Sequence, residues 1–224
     1  MGTITTAFPT SFKQELAQGM HCFTAFANNP ISFTATPTSG SFTLTSVSSQ
    51  AFLCRGMGLT GSGIPSPCFI VDLPTSNTLT IYPAANASPG SVTVTANGDT
   101  FNVALIIASP TGNYGAATSN YSSLGADEVS NIGTGYTTGG QALVTLTGVA
   151  TSGTTAFWSW VANPSWITAT FSTAGCIFYN ASTRASTGRC VYVGSFGGTQ
   201  TVTGGTFTIV LPTNNVSNAI LRIQ

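Results

Sequence analysis

"LTIYPAANASPGSVTVTA", residues 79–96, is the stretch on which the fold turns. Its last segment alternates Val92, Val94 and Ala96 with threonines, which gives one apolar and one polar face, the period of a half-buried strand. Pro89 and Gly90, just before it, are turn residues. The same pattern recurs on both sides. Runs such as "ISFTAT", "CFIVDL", "FNVALIIA", "ITATFSTAGCIFYN", "RCVYVGSF" and "TFTIVL" are rich in Val, Ile, Thr and Phe and are bounded by Gly, Pro, Asn and Ser, as in all-β sandwiches. Thirteen such runs can be read along the chain, more strands than one small sandwich holds. A single helix is expected near the N-terminus, where Ser11 and Gln14 fit a capping box, Phe12, Leu16 and Met20 recur every fourth residue and Gly19 is a stop signal.

Composition narrows the function classes. Charged residues make up 4% of the 224, with five Lys+Arg against five Asp+Glu. Nothing in that balance attracts phosphates, so neither nucleic acid nor an anionic membrane surface is an expected partner. The N-terminus has no secretory pattern, and no run approaches the length of a membrane span. A near-neutral chain gains little solubility from self-repulsion, which suits a protein that works inside an assembly.

The segment 24–98, with its Pro/Gly turns and closing "VTVTA", resembles a bacterial Ig-like module. The flanks differ in character. "TSFKQELAQGMHCF", "DTFNVALIIAS", "TSNYSSLGADEVSNIGTGYTTGGQAL", "WSWVANPSWITATFSTAGCIFYN" and "GGTFTIVLPTNNVSNAILRIQ" together resemble, in order, a family of small structural proteins of tailed-phage virions. In that family the helix block runs almost directly into the "DTF" strand, whereas here the whole 24–98 segment stands between them. The resemblance therefore implies a discontinuous phage-type β-sandwich, 1–23 and 99–224, with an Ig-like domain inserted at 24–98. It further implies a virion protein assembled in the bacterial cytoplasm. The expected role is capsid decoration or cementing: several copies, a trimer, stabilising the shell of the major capsid protein. The alternative is a tail or fibre component whose Ig-like domain binds a host receptor or glycan.

Candidate residues follow from chemistry. Asp127 and Glu128 are the best acid/base pair, but adjacent residues of an extended chain point to opposite sides and cannot flank one bond. A polar loop whose Asp binds backbone N–H groups fits better. The glycines after them lack the Lys and the helix of a phosphate cradle. Shape is thus the expected use of this loop, with Asp127, Glu128, Tyr136, Gly139 and Gly140 at an assembly interface. His21 is the only histidine, and no nucleophile elbow accompanies it. No catalytic residue, metal or cofactor is expected, and the chain does not read as an enzyme. Trp158 and Trp160 share a strand face; core packing is their main reading and stacking on sugar rings the second. The five cysteines show no zinc spacing. Cys176 and Cys190 lie symmetrically about Thr183, and Cys54 and Cys68 about Gly61, so each pair is expected to face across a hairpin.

Overall fold

The computed structural model describes residues 1–23, 30–51, 53–144, 147, 149–182 and 188–224. Among the described residues the protein is all-β with one short α-helix. It divides into two compact units: Cys22–Asp99, and Met1–His21 together with Thr100–Gln224.

The contiguous unit contains β1 (Ile31–Ala35), β2 (Thr43–Leu44), β3 (Gly58–Gly61), β4 (Phe69–Thr75), β5 (Thr78–Tyr82) and β6 (Val92–Asn97). They form one antiparallel sheet in the order β1-β6-β3-β4-β5-β2. A bridge between Thr36 and Thr45 joins its two ends, so the sheet wraps around its core. Val94 and Ala96 are fully buried there with Leu44, Leu79 and Ile81, because the Val/Thr alternation turns every second side chain inward. The unit's ends meet: the Cys22 N–H donates to Asp99 Oδ2 at 2.8 Å, and the Asp99 N–H donates to the Cys22 carbonyl at 3.3 Å.

The discontinuous unit has α1 (Thr10–Ala17), β7 (Phe101–Ile107), β8 (Gln141–Leu143), β9 (Ala150–Ser152), β10 (Thr155–Trp158), β11 (Ser165–Asn180), β12 (Arg189–Thr208) and β13 (Leu221–Ile223). Its sheets run β12-β11-β7-β8 and β13-β10-β9. Trp160 packs at 5.3 Å on Phe101 and 5.6 Å on Phe178. The expected capping box is not formed. Pro9 occupies the N-cap position with no side-chain cap, because the Thr10 N–H donates instead to the Ala116 carbonyl at 2.8 Å. A tertiary hydrogen bond thus satisfies a helix-end donor that a side chain would otherwise have to meet. Glu15, on the inner face of α1, is buried; it meets His21 Nε2 at 2.8 Å and Arg189 at 2.6 Å. His21 is therefore a packed, bonded side chain.

Candidate assembly surface

β11 and β12 form the longest feature of the fold. β7 pairs with β11 only from Thr173 to Asn180, so the stretch Ser165–Ser172 extends past the four-stranded sheet. The glycine-rich loop fills that gap. Thr170 N–H donates to the Thr134 carbonyl at 2.8 Å, Ser165 N–H donates to Gln141 Oε1 at 2.9 Å, and Gln141 Nε2 donates to the Ser165 carbonyl. Tyr136 stacks at 5.9 Å on Trp166 and meets Phe171 edge-on at 6.2 Å, while Phe207 lies 5.3 Å from Phe171. The loop is a buttress for the far half of the hairpin.

Asp127 and Glu128 hold the buttress. Asp127 is buried and accepts from the Gly112 N–H at 2.7 Å, the Tyr114 hydroxyl at 2.7 Å and both the N–H and the hydroxyl of Thr111. Burial pushes its carboxyl up, but the Gly112 and Thr111 N–H groups and the two hydroxyls outweigh this and hold it below the usual carboxylate range. Glu128 accepts from the Tyr121 hydroxyl at 2.6 Å, the Tyr136 hydroxyl at 2.7 Å and the Gly139 N–H at 2.7 Å. Burial and the neighbouring carboxylate raise the Tyr114 and Tyr121 hydroxyls above the usual tyrosine range, so both stay donors.

This geometry corrects the expected interface. Asp127 and Tyr136 are 4% and 3% exposed and cannot touch a second protein. Glu128 is fully engaged inside its own unit. A Cβ on Gly140, where φ is +73°, would stand 1.8 Å from the Val103 carbonyl oxygen, and one on Gly139 would stand 3.2 Å from the Tyr179 hydroxyl. These glycines permit close approach to the protein's own β7 and β11. Sequence reasoning found the loop's need for shape but assigned it to the wrong partner, because its hydrogen-bond mates lie on distant strands.

The tryptophan and cysteine readings are also corrected. Trp158 and Trp160 are 4% and 0% exposed, so both rings belong to the core and neither offers a face to a sugar. Cys176 pairs with Gly194 and Cys190 with Tyr179; the hairpin's turn residues 183–187, Thr183 among them, lie outside the described residues. A bulge between Phe178 and Tyr179 offsets the register. Cys190 packs with Ile177 and Tyr179, whereas Cys176 shares the other sheet face with Phe178. Burial pushes both thiols up to about 12. Cys54 does not face Cys68: β3 meets β4 at Gly58 and Phe69, and the Cys68 carbonyl accepts from the Leu59 N–H. The Cys54 sulfur lies 2.9 Å from that of Cys22 instead.

What the hairpin leaves open is β12, the outer strand of its sheet. Near its start the outer edge is covered: Ala7 and Val193 exchange hydrogen bonds of 3.0 and 2.9 Å, and the Cys190 N–H donates to the Ser119 carbonyl. Among the described residues, no strand pairs with that edge from Phe196 to Thr208. An unpaired edge is a template for another strand, and proteins usually guard it with charge, proline or bulges. From Cys190 to Leu221 the sequence carries no charged residue, and β12 has no proline. Bulges opposite Thr173/Gly175 and Ala169/Phe171 are its only such guard, and they limit the flat run to Gln200–Val202. Beside the edge runs an open groove of about 700 Å³ lined by Phe8, Phe178, Tyr192, Phe196, Phe207 and Val210. Val210 and Ile167 are 76% and 73% exposed.

Comparison with protein-family models, with curated proteins and with solved structures finds no match.

Proposed function

We propose that this chain is a structural protein of a tailed-phage particle that decorates the capsid and stabilises the shell of the major capsid protein, with the open edge of β12 and its groove as the lattice contact. The observation that carries the reading is the edge itself: long, uncharged, shaped by bulges and flanked by an apolar groove. A strand added there gains backbone hydrogen bonds while its alternate side chains enter the groove. The resemblance of its sequence blocks to those of phage structural proteins supports the virion setting. A protein that binds the assembled lattice but not its separate parts stabilises the lattice by linkage, and repeated weak contacts act together through avidity.

The test is to strip the protein from purified particles, add it back and count copies per shell. Hundreds of copies that rebind, and rebinding lost in Thr203→Lys or Val210→Asp variants with an unchanged melting temperature, support decoration. A dozen copies or fewer per particle, or rebinding to tails but not shells, rejects it.

A further inference from the structure

We propose that the cleft between α1 and β13 binds a small amphiphile, one short alkyl chain carrying a carboxylate head. The site lies wholly within the discontinuous unit and does not depend on the decoration reading.

The cleft has a volume of about 380 Å³, at the small end of the roughly 300–1,000 Å³ of small-molecule sites. Its walls are apolar. Phe12 and Leu16 come from α1, four residues apart and so on one face of the helix; Leu221 and Ile223 come from β13, and Trp158 from β10. Phe12, Trp158 and Leu221 are buried, whereas Ile223 is 47% exposed. β13 is the outer strand of its sheet, and among the described residues no further strand pairs with it, so the cleft stays open to a ligand. An alkyl chain lying there exchanges water for hydrocarbon walls contributed by three elements that the fold already holds in place.

Charge selects the head group. Lys13 and Arg222 both line this cleft, two of only five Lys and Arg in the chain. None of the five acidic side chains is left to neutralise them. Glu15 is bound by His21 and Arg189, Asp72 by Arg55, Asp99 by the Cys22 N–H, and Asp127 and Glu128 by donors of the glycine-rich loop and its neighbours. Neither Lys13 nor Arg222 forms an ion pair among the described residues. Lys13 is exposed and stands one residue from Phe12 and three from Leu16, where its stem can lie along the apolar wall while the ammonium stays wet. The Arg222 guanidinium donates to the Ser217 carbonyl, which orients it, and its fork has further N–H groups to offer a carboxylate. An alkylammonium would meet two like charges, and an alcohol would gain nothing from either cation. A nucleic acid would find apolar walls and only two cations. A protein partner needs a broader face than a cleft of this size.

The test is isothermal titration calorimetry of the full chain with hexanoate, octanoate and decanoate, with melting curves as a check on folding. Saturable binding is expected, tightening by up to about fourfold per added methylene while the cleft fills. Decanoate should bind about tenfold or more tightly than decan-1-ol or decyltrimethylammonium, and Lys13→Glu should weaken octanoate by about tenfold or more, whereas Lys13→Arg retains it. Ile223→Ser should weaken the longest chain most. Equal binding of the three head groups, no dependence on chain length, no saturable binding, or undiminished binding in Lys13→Glu would each overturn the site. So would a concentration-dependent dimer lost in Lys13→Glu without carboxylate binding. The cleft shares Phe8 and Arg222 with the β12 groove, whereas Lys13 and Ile223 line the cleft alone. Thr203→Lys should therefore bind octanoate normally and Lys13→Glu should rebind shells normally, so failure of the decoration reading and failure of this one are distinguishable.

Discussion

The Cys22 sulfur stands 2.9 Å from that of Cys54 and belongs to the same core as Cys68. The two pairings expected from sequence symmetry are absent from the β-ladders. Exchange with oxidised glutathione would form one Cys22–Cys54 bond and release two reduced glutathione molecules. Peptide mapping after mild oxidation should find this link and none between Cys176 and Cys190, which occupy opposite sheet faces. A dominant Cys176–Cys190 link would show that the β11–β12 register is wrong.

Asp127→Asn should lower stability by about 3 kcal/mol, because the amide cannot accept from all the buried donors that the carboxylate now satisfies. The native carboxyl titrates below its unfolded value. Its contribution is therefore complete above the unfolded value of about 4 and is lost as pH falls through the lower folded value. Urea unfolding between about pH 5 and pH 2 should show a steeper acid loss in the natural protein than in the variant. Equal slopes would refute the assignment.

Gly140→Ala should cost about 3 kcal/mol or more, since its Cβ would meet the Val103 carbonyl oxygen at 1.8 Å in a left-handed conformation. Gly133 shares the positive φ but has open space around it, so Gly133→Ala should cost only about 1 kcal/mol of backbone strain. Chemical denaturation of the two variants compares close approach with strain alone; similar losses would mean the loop is not pressed against β7.

Capsid rebinding should change less than about twofold when salt rises from about 0.1 M to about 1 M, although the screening length falls from about 10 Å to about 3 Å. The β12 edge offers backbone groups and apolar side chains, which salt does not screen. A steep salt dependence would shift the contact to one of the few charged residues.

Replacing residues 25–97 with a short Gly/Ser linker should leave a soluble domain with one cooperative melt, because the hydrogen bonds between Cys22 and Asp99 bring the two chain ends side by side. Recovery only as aggregate would mean that the discontinuous unit cannot fold without the insert.

Periodicity made β5 and β6 legible, since Leu79, Ile81, Val94 and Ala96 all turn inward. Apolar composition misleads just before β3: Leu53, Cys54 and Met57 lie outside any strand, and β3 begins only at Gly58. In that strand a Cβ on Gly61 would stand 3.0 Å from the Thr93 carbonyl oxygen, a close approach that apolar patterning cannot register. Hairpin symmetry failed for a related reason. Tyr179 already stands opposite Cys190, and the bulge between Phe178 and Tyr179 carries Cys176 on to Gly194, displacing register without altering the alternation that sequence shows. The loop's chemistry was half legible: adjacent acids in a glycine-rich run signalled a shaped segment, but Tyr114 and Thr111 are identified as Asp127's partners only once the chain is folded.

The discontinuity of the larger unit also bears on the order of events during synthesis. Residues 1–21 leave the ribosome long before Tyr114, Arg189 and Val193, with which Ile4, Glu15 and Ala7 pair, and they must wait for these partners. The contiguous unit is complete in sequence once Asp99 is made. Once its sheet has closed, Cys22 and Asp99 are clasped, and the waiting segment is held beside Thr100 as though only a short loop lay between them. An insertion that seems to split a domain thereby removes most of the entropic cost of reuniting its halves, and acts as a clasp formed ahead of the structure it closes.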